Sequence, residues 1–275
     1  MDIMLPEGMR IPSLSERAWF YSHIFDPDES KDFLKIYPSP VYAIDIGNES
    51  GIYLPTFAKY INKLVYISKY DSIKEKLSKY APEDVYYSRN IVKDPKVCAL
   101  CEKHSTDCPD CVNLAMQELA FDIDSENIKC SICKKDKKKS IYSFCAHQLR
   151  DSKQWAIRLY NYLVEEKKYR DVRIVYSGRG YHLHVLDKDA YSLSPDARKN
   201  MAESLKRKGY PIDAWVTSGN IDLIRLPGSL HGLVNRIVKE IKKEEIEQFD
   251  PIDSKEVIPP YPPSVNNHSL TRSFA

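Results

Sequence analysis

The architecture of this chain depends most on residues 118–124, which read Glu-Leu-Ala-Phe-Asp-Ile-Asp. The apolar residues around the two aspartates are typical of a buried β-strand. Side chains alternate between the faces of a strand, so Asp122 and Asp124 would share one face about 7 Å apart, with Phe121 and Ile123 on the other. Two such carboxylates can bind a pair of divalent cations about 4 Å apart. A solvent-exposed strand end is the simpler interpretation, but buried strands seldom carry two acids without a function.

A second stretch, residues 176–185, reads Tyr-Ser-Gly-Arg-Gly-Tyr-His-Leu-His-Val. It predicts two strands around a glycine turn, with Ser177 and Arg179 in the turn and His182 and His184 on one strand face. Backbone N–H groups, a hydroxyl, a guanidinium and an imidazole at one turn can bind a triphosphate. An ordinary hairpin with one hydrogen-bonded histidine is the alternative interpretation.

A third stretch, residues 223–232, reads Leu-Ile-Arg-Leu-Pro-Gly-Ser-Leu-His-Gly and offers the same chemistry in Arg225, Ser229 and His231. Two acids precede it, Asp213 and Asp222. We expect short strands over 213–216 and 222–226, and periodicity alone does not decide which acid is a third metal-binding carboxylate.

The cysteines predict metal sites. Six of the seven fall into C-x-x-C pairs, which in an unexported chain bind metal or do redox chemistry more often than they form disulfides. Two sets of ligands suit tetrahedral, structural zinc. They are Cys130, Cys133, Cys145 and His147, and then Cys98, Cys101, Cys108 and Cys111, with His104 in reserve. We expect one or two zinc ions.

Composition limits the remaining possibilities. The chain has 275 residues, 43% of them hydrophobic, and a formal net charge of +2, so nucleic-acid binding would depend on local patches. No run of about 18 apolar residues and no export signal is visible, which predicts a soluble, cytoplasmic protein without a membrane partner. Strands alternate with helices, the strongest of them over 146–168, which indicates an α/β (α+β) fold. We expect a catalytic domain over 1–250 and a Pro-rich tail or linker over 251–275.

These motifs together resemble the catalytic small subunit of archaeal and eukaryotic DNA primases, over about residues 86–251. The resemblance implies the archaeo-eukaryotic primase catalytic fold, in which an RNA-recognition-like (RRM-like) sheet joins a second α/β unit and the active site lies between them, with a zinc-binding insertion. It implies that Asp122, Asp124 and Asp213 hold two Mg²⁺ or Mn²⁺ ions, because a gapless match selects Asp213 rather than Asp222. The residues that it implies contact the nucleotide are Ser177, Arg179, His182, Arg225, Ser229 and His231. The cysteines after Asp124 resemble the family's zinc knuckle, so the zinc-binding segments would be about 98–111 and 130–147.

Three departures from the family pattern qualify this resemblance. The second motif is one residue shorter than S-G-x-x-G-x-H, which affects Arg179 more than His182. The cluster from Cys98 to Cys111 is not a usual feature of the family. The insertion between the second and third motifs is nearly absent, which favours a compact primase-polymerase of archaeal, plasmid or viral type.

The implied function is primer synthesis from NTPs or dNTPs on a single-stranded DNA template. A gap-filling repair polymerase of the same superfamily is the enzymatic alternative, and a non-catalytic, zinc-bearing DNA-binding subunit is the alternative of another class. A primase large subunit or a fused C-terminal domain is the expected protein partner, and the expected location is the nucleoid-associated replication machinery in the cytoplasm.

Overall fold

Two four-stranded antiparallel sheets form the framework of the molecule. The computed structural model describes residues 3–37, 39–67, 73–94, 96–97, 111–130, 132 and 142–266. Their strands are β1 (Tyr42–Asp45), β2 (Val65–Ile67), β3 (Asp84–Ser88), β4 (Asn90–Val92), β5 (Leu114–Gln117), β6 (Leu119–Asp124), β7 (Val172–Tyr176), β8 (Gly180–Val185), β9 (Leu223–Arg225), β10 (Leu230–His231), β11 (Arg236–Ile237) and β12 (Lys239–Ile241). The first sheet has the order β2-β1-β3-β9 and the second has the order β12-β7-β8-β6; β4–β5 and β10–β11 form two-stranded ribbons.

Helices are interspersed with the strands, as expected for the mixed α/β class. The α-helices are α1 (Leu14–His23), α2 (Lys31–Leu34), α3 (Ile73–Tyr80), α4 (Ala146–Asn161), α5 (Lys188–Tyr191), α6 (Pro195–Arg207), α7 (Ala214–Ser218) and α8 (Pro263–Asn266). A π-helical turn over Tyr162–Glu166 continues α4, so the predicted helix over 146–168 is confirmed. The 3₁₀-helices are Pro27–Ser30, Pro55–Tyr60, Ser125–Asn127 and Lys255–Val257.

The second sheet has the alternation that its sequence predicts. Leu119, Phe121 and Ile123 of β6 are fully buried in the core between this sheet and α4. Ala120, on the opposite face, packs instead into the core of the first sheet. Since Asp122 and Asp124 share the face of Ala120, the two carboxylates point toward the first sheet.

Strand β8 lies next to β6, and its register places Asp122 opposite His182 and Asp124 opposite Gly180. A side chain at position 180 would overlap the carbonyl group of Ile123. Glycine is therefore required there for the two strands to approach each other, which explains its position at the start of β8.

The first sheet brings the third motif to the same place. Tyr42 and Ile44 of β1 and Val85 and Tyr87 of β3 are fully buried and form its core. Strand β9 pairs with β3, and Arg225 lies opposite Tyr86. The fold thus places Arg225 on the sheet that faces the two aspartates.

Residues 213–216 do not form the strand that we expected. Asp213 is instead the N-cap of α7, and its carboxylate accepts a hydrogen bond of 2.8 Å from the N–H of Trp215. Gly219, with a φ of 89°, ends the helix in the left-handed conformation. These end signals favour one helical turn over a strand, although the intervening Trp, Val and Thr are good strand residues.

The segment after residue 250 also differs from our expectation of a tail, as far as the structure describes it. Ile252 and Val257 are buried in the core of the second sheet. The hydroxyl of Tyr261 donates a 2.8 Å hydrogen bond to Asn235. Prolines in this segment exclude regular strands, but its apolar side chains still pack on the body of the protein. Among the helices that the structure describes, none is long and apolar enough to cross a membrane.

Candidate active site

A cavity of about 250 Å³ lies between the facing sheets. Residues from both sheets and from the segments that connect their strands line it: Tyr86, Asp122, Asp124, Glu126, Tyr142, Ser177, Arg179, His182, Val216, Leu223, Ile224, Arg225 and His231. The structure therefore brings together most of the residues predicted from three separate motifs. We call Asp122, Asp124 and the neighbouring His182 the carboxylate wall, and Arg225 and His231 the cationic wall.

The carboxylate wall contains an acid that is incompletely compensated. The Oδ1 atom of Asp122 is buried and has no hydrogen-bond partner among the described residues. Burial and the nearby charges of Asp124 and Asp213 raise the pKa of Asp122 well above its ordinary value. Burial also raises the pKa of Asp124, although Arg179 and Arg225 oppose the shift. In the absence of a bound cation, these carboxylates destabilise each other.

Asp213 lies beside this wall but does not line the cavity. Its N–H donates a 2.8 Å hydrogen bond to the carbonyl oxygen of Asp122, which brings the start of α7 against β6. The rival acid, Asp222, is occupied elsewhere: it accepts hydrogen bonds from Ser88 Oγ at 2.6 Å and from Asn90 Nδ2 at 3.2 Å. Of the two acids, Asp213 is the one whose charge acts on Asp122 and Asp124.

His182 completes the carboxylate wall as a neutral group. Its Nε2 atom lies 3.5 Å from Asp122 Oδ1, which is too long for a hydrogen bond of ordinary strength. Burial and nearby positive groups, Arg225 among them, hold the pKa of His182 well below its ordinary value. His182 therefore does not neutralise Asp122, and an imidazole remains available to a ligand.

The cationic wall has its own counter-ion, Asp84 at the start of β3. Asp84 accepts hydrogen bonds from both terminal nitrogens of Arg225, one of them at 3.0 Å, and from the N–H of Gly232 at 3.2 Å. Although burial raises the pKa of Asp84, Arg225 and His231 hold it well below its ordinary value. The guanidinium of Arg225 also lies over the ring of Tyr86, 5.2 Å from its centre. Arg225 is thus fixed in position before any ligand binds.

The glycine turn of the second motif contacts this wall. Gly178 has a φ of 98°, and a Cβ there would lie 2.8 Å from the Cβ of His231. Arg179 forms an ion pair with Glu126 and stacks on Tyr142, with 5.0 Å between the guanidinium carbon and the ring centre. Burial lowers the pKa of Arg179 below its ordinary value. The shortened motif still brings Arg179 to the cavity.

The two predicted serines differ in their placement. Ser177 lines the cavity. Ser229 does not: it is fully buried, and its hydroxyl donates a 2.6 Å hydrogen bond to the carbonyl oxygen of Leu226. The donor of Ser229 is thus used within the turn after β9, and its contact with the triphosphate stays a prediction.

Sequence reasoning missed Asp84, Tyr86, Glu126 and Tyr142. Asp84 and Tyr86 lie two residues apart on β3, so their side chains share one face of that strand. Nothing in the sequence near Glu126 and Tyr142 distinguishes them from other surface residues.

Part of one predicted zinc site is described. The sulfur atoms of Cys130 and Cys145 lie 3.7 Å apart, His147 is exposed, and Cys133 lies outside the described residues. Of the second set, Cys111 is exposed, while Cys98, Cys101, Cys108 and the spare His104 lie outside the described residues. Both zinc sites remain predictions.

The donor atoms of the carboxylate wall suit a hard divalent cation. Carboxylate oxygens are the ligands that Mg²⁺ and Mn²⁺ prefer, and the buried Asp122 Oδ1 has no other partner. Among the described residues, no group of three or more His, Cys, Asp and Glu side chains converges closely enough to hold an ion as it stands. Asp124 and Asp213 would therefore have to turn toward Asp122 when a cation binds.

Comparisons with known proteins agree with this site. The family described as DNA primase small subunit matches residues 121–211, which include the first two motifs. An Archaeoglobus fulgidus protein described as an uncharacterized DNA primase small subunit-like protein is 38% identical over 260 residues, 91% of each chain. This chain belongs to the DNA primase small subunit family. Membership in this family makes it a DNA-directed nucleotidyltransferase.

More distant relatives in the family match smaller portions. The Pyrococcus horikoshii DNA primase small subunit PriS is 28% identical over 58% of this chain and 52% of its own length. The corresponding Thermoplasma volcanium protein is 25% identical over 72% of each chain. The match thus spans about half of the Pyrococcus primase subunit. A solved structure, the polymerase domain of Mycobacterium tuberculosis ligase D in complex with DNA, aligns over 89% of this chain and 90% of its own at 14% identity and a TM-score of 0.47.

Proposed function

We propose that this chain synthesises primers on single-stranded DNA by template-directed nucleotidyl transfer from NTPs or dNTPs. The observation that carries the proposal is the pairing of two unlike walls across one cavity. Two carboxylates and the imidazole of His182 face a fixed guanidinium and the imidazole of His231, which is the arrangement that a metal-bound triphosphate requires. The same arrangement supports the archaeo-eukaryotic primase catalytic fold that the resemblance implies.

Asp122, Asp124 and Asp213 would hold two Mg²⁺ or Mn²⁺ ions, which when bound lower the pKa of the attacking 3′-hydroxyl and neutralise the triphosphate and the leaving pyrophosphate. The chain's own contribution at this wall is to place negative charge where cations are needed. His182, held neutral by its surroundings, can donate a hydrogen bond to a phosphate or accept one from a hydroxyl.

Arg225 would bind the triphosphate from the opposite wall. Asp84 accepts from its two terminal nitrogens, and the remaining N–H groups of the guanidinium are free to donate to phosphate oxygens. Because Asp84 and Tyr86 already fix the side chain, little reorganisation is needed when the nucleotide binds. His231 and Ser177 would add donors nearby. Arg179 would join them by exchanging Glu126 for phosphate.

The rival functions predict different products. A gap-filling polymerase extends an existing primer but does not make a dinucleotide without one. A DNA-binding subunit without catalysis makes no product, and it would have no reason to retain buried, unpaired carboxylates that destabilise its fold.

Incubation with single-stranded DNA, labelled nucleotides and Mn²⁺ tests the proposal. We expect new products without an added primer, in reactions with NTPs, dNTPs or both. Extension of a supplied primer alone would favour the gap-filling alternative. Absence of product in both reactions, together with no Mn²⁺-dependent change in nucleotide fluorescence on binding, would refute nucleotidyl transfer.

Zinc at Cys130, Cys133, Cys145 and His147 is a separate proposal, supported by the proximity of the Cys130 and Cys145 sulfurs. We propose a structural role, because all four ligands come from the protein and no position is left for substrate. Elemental analysis should give one or two zinc ions per chain. Cys130→Ser should lower stability more than it changes nucleotide affinity. Folded, active protein without zinc would contradict the structural role of zinc.

A primase large subunit or a fused C-terminal domain remains the proposed protein partner.

A further inference from the structure

Trp215 presents an aromatic surface to solvent beside the active site. Its side chain is 64% exposed, whereas Trp19 is stacked on His23 and Trp155 packs edge-on against Tyr210. Among the described residues, no aromatic ring or cationic group covers Trp215. Tryptophan has a large aromatic face on which a ligand can pack, and it is enriched at binding interfaces.

The backbone around Trp215 is held in place. Its N–H donates to Asp213 Oδ1 at 2.8 Å, and its carbonyl oxygen accepts from the N–H of Ile221 at 3.2 Å. The buried guanidinium of Arg89 donates to the carbonyl oxygens of Val216, at 2.8 Å, and of Ile221. Because the segment is already ordered, binding of a ligand to the ring would not include the entropic cost of ordering it.

Trp215 adjoins residues of the catalytic cavity along the chain. The next residue, Val216, lines that cavity, as do Leu223 and Ile224 further along the same segment. Two residues before the ring, the N–H of Asp213 donates to the carbonyl oxygen of Asp122. The segment that carries Trp215 therefore contacts both the cavity and the carboxylate wall.

A cation lies near the helix that carries the ring. Lys206, an exposed residue near the end of α6, donates from Nζ to the carbonyl oxygen of Ile212 at 3.2 Å, one residue before Asp213. Helix α6 packs against α7, so the ammonium lies near the start of the helix that carries Trp215. An aromatic ring and a lysine on two adjoining helices match the bases and the phosphates of one strand.

We propose that Trp215 stacks on an unpaired base of the single-stranded template next to the cavity, and that Lys206 binds a phosphate of the same strand. This inference rests on the proposed function, because template-directed synthesis needs the single strand next to the catalytic cavity. A protein partner is less well matched, since one ring beside an exposed lysine lacks the broad apolar core of a protein interface.

Binding of end-labelled oligo(dT), followed by fluorescence anisotropy without nucleotides, tests the proposal. A second oligonucleotide of equal length, with abasic residues, keeps the phosphates and removes the bases. Trp215→Ala should weaken binding of oligo(dT) about tenfold, equivalent to about 1.4 kcal/mol, and leave binding of the abasic strand unchanged. Trp215→Phe should restore most of the affinity.

Lys206→Ala should weaken binding of both strands equally and reduce the salt dependence of log K by about 0.7. Lys199→Ala, an exposed lysine on the same helix, and Ile258→Ala, a 38% exposed apolar residue, are matched controls that should leave binding unchanged. Equal losses on both oligonucleotides for Trp215→Ala, or no loss on either, would overturn the proposal; the second result would assign the ring to a protein partner.

The outcome is independent of catalysis. Base-dependent binding through Trp215 in a chain that makes no product would keep this inference and reject the proposed function. Normal synthesis by Trp215→Ala, with unchanged affinity and unchanged KM for template, would reject this inference and keep the proposed function.

Discussion

The carboxylate wall and the cationic wall face each other across one cavity, but their charges are compensated in opposite ways. Arg225 is bound by Asp84, stacked on Tyr86 and fixed by folding alone. Asp122 has a buried oxygen without a partner, and its neighbours repel it. Folding therefore completes the cationic wall, whereas the carboxylate wall is completed only when cations bind. Binding of cations would therefore relieve the repulsion among the carboxylates, while the phosphate-binding side is already in position before the nucleotide binds.

The most severe test removes the charge of the carboxylate wall. Asp122→Asn combined with Asp124→Asn keeps the shape of the side chains but removes two anionic ligands, so synthesis should fall by roughly 10³-fold or more. Primer synthesis on single-stranded DNA measures this, and a wild-type rate would contradict the assignment.

The same double variant should be more stable than the wild type without added metal. The folded-state pKa values of both acids are raised, so the folded protein binds these protons more tightly than the unfolded chain, whose reference value is 3.8. The stability from these groups is present at low pH and is lost as pH rises through the folded pKa values. Urea denaturation in a chelating buffer between pH 5 and 8 should show a larger loss in the wild type than in the variant, which keeps only the contribution of other groups such as Glu83.

Substitutions at Asp213 and Asp222 test which of these two acids acts with Asp122 and Asp124 as a metal ligand. Asp213→Asn should lower the rate roughly 10²-fold or more, through loss of a metal ligand, while asparagine still caps α7. Asp222→Asn should change the rate little and cost about 1 kcal/mol of stability, because its bonds go to Ser88 and Asn90. The reverse ranking in single-turnover assays would show that our register through the third motif is wrong.

Asp84→Asn would remove the negative charge that compensates the cationic wall. Arg225 would keep its charge in a buried position without a counter-ion, which should cost about 3–5 kcal/mol of stability and raise the KM for nucleotide more than it lowers kcat. Asp45→Asn is a suitable control: this buried acid accepts from the N–H groups of Gly47 and Asn48, so it should affect stability alone. An unchanged KM for Asp84→Asn would contradict the positioning of Arg225 by Asp84.

The effect confined to pH dependence concerns Glu83, which adjoins Asp84 but, like the acids of the carboxylate wall, has a raised pKa. Burial and the charge of Asp84 raise its pKa from 4.5 to about 7. The free energy of unfolding should therefore fall by roughly 2–3 kcal/mol as pH rises from about 4.5 to 7. In Glu83→Gln, denaturation curves across this range should show less pH dependence; curves that parallel the wild type would place the titration elsewhere.

Much of the site was predictable because its signals are local. The alternation of residues 118–124 places Asp122 and Asp124 on one face whatever the rest of the chain does, since the period of a strand is two residues. The glycine turn before His182 follows from Gly178 and Gly180, which allow conformations and close approaches that other residues do not. Those motifs also carry the resemblance to the primase family.

Contacts between distant parts of the chain decided the remainder. Asp84 is separated from Arg225 by 141 residues, and only the pairing of β3 with β9 shows that one is the counter-ion of the other. Docking of α7 against β6 placed Asp213 beside Asp122. The turn after β9 used the hydroxyl of Ser229 internally. Local patterns specify which face a side chain takes, but the charge it meets there depends on which element the fold places opposite.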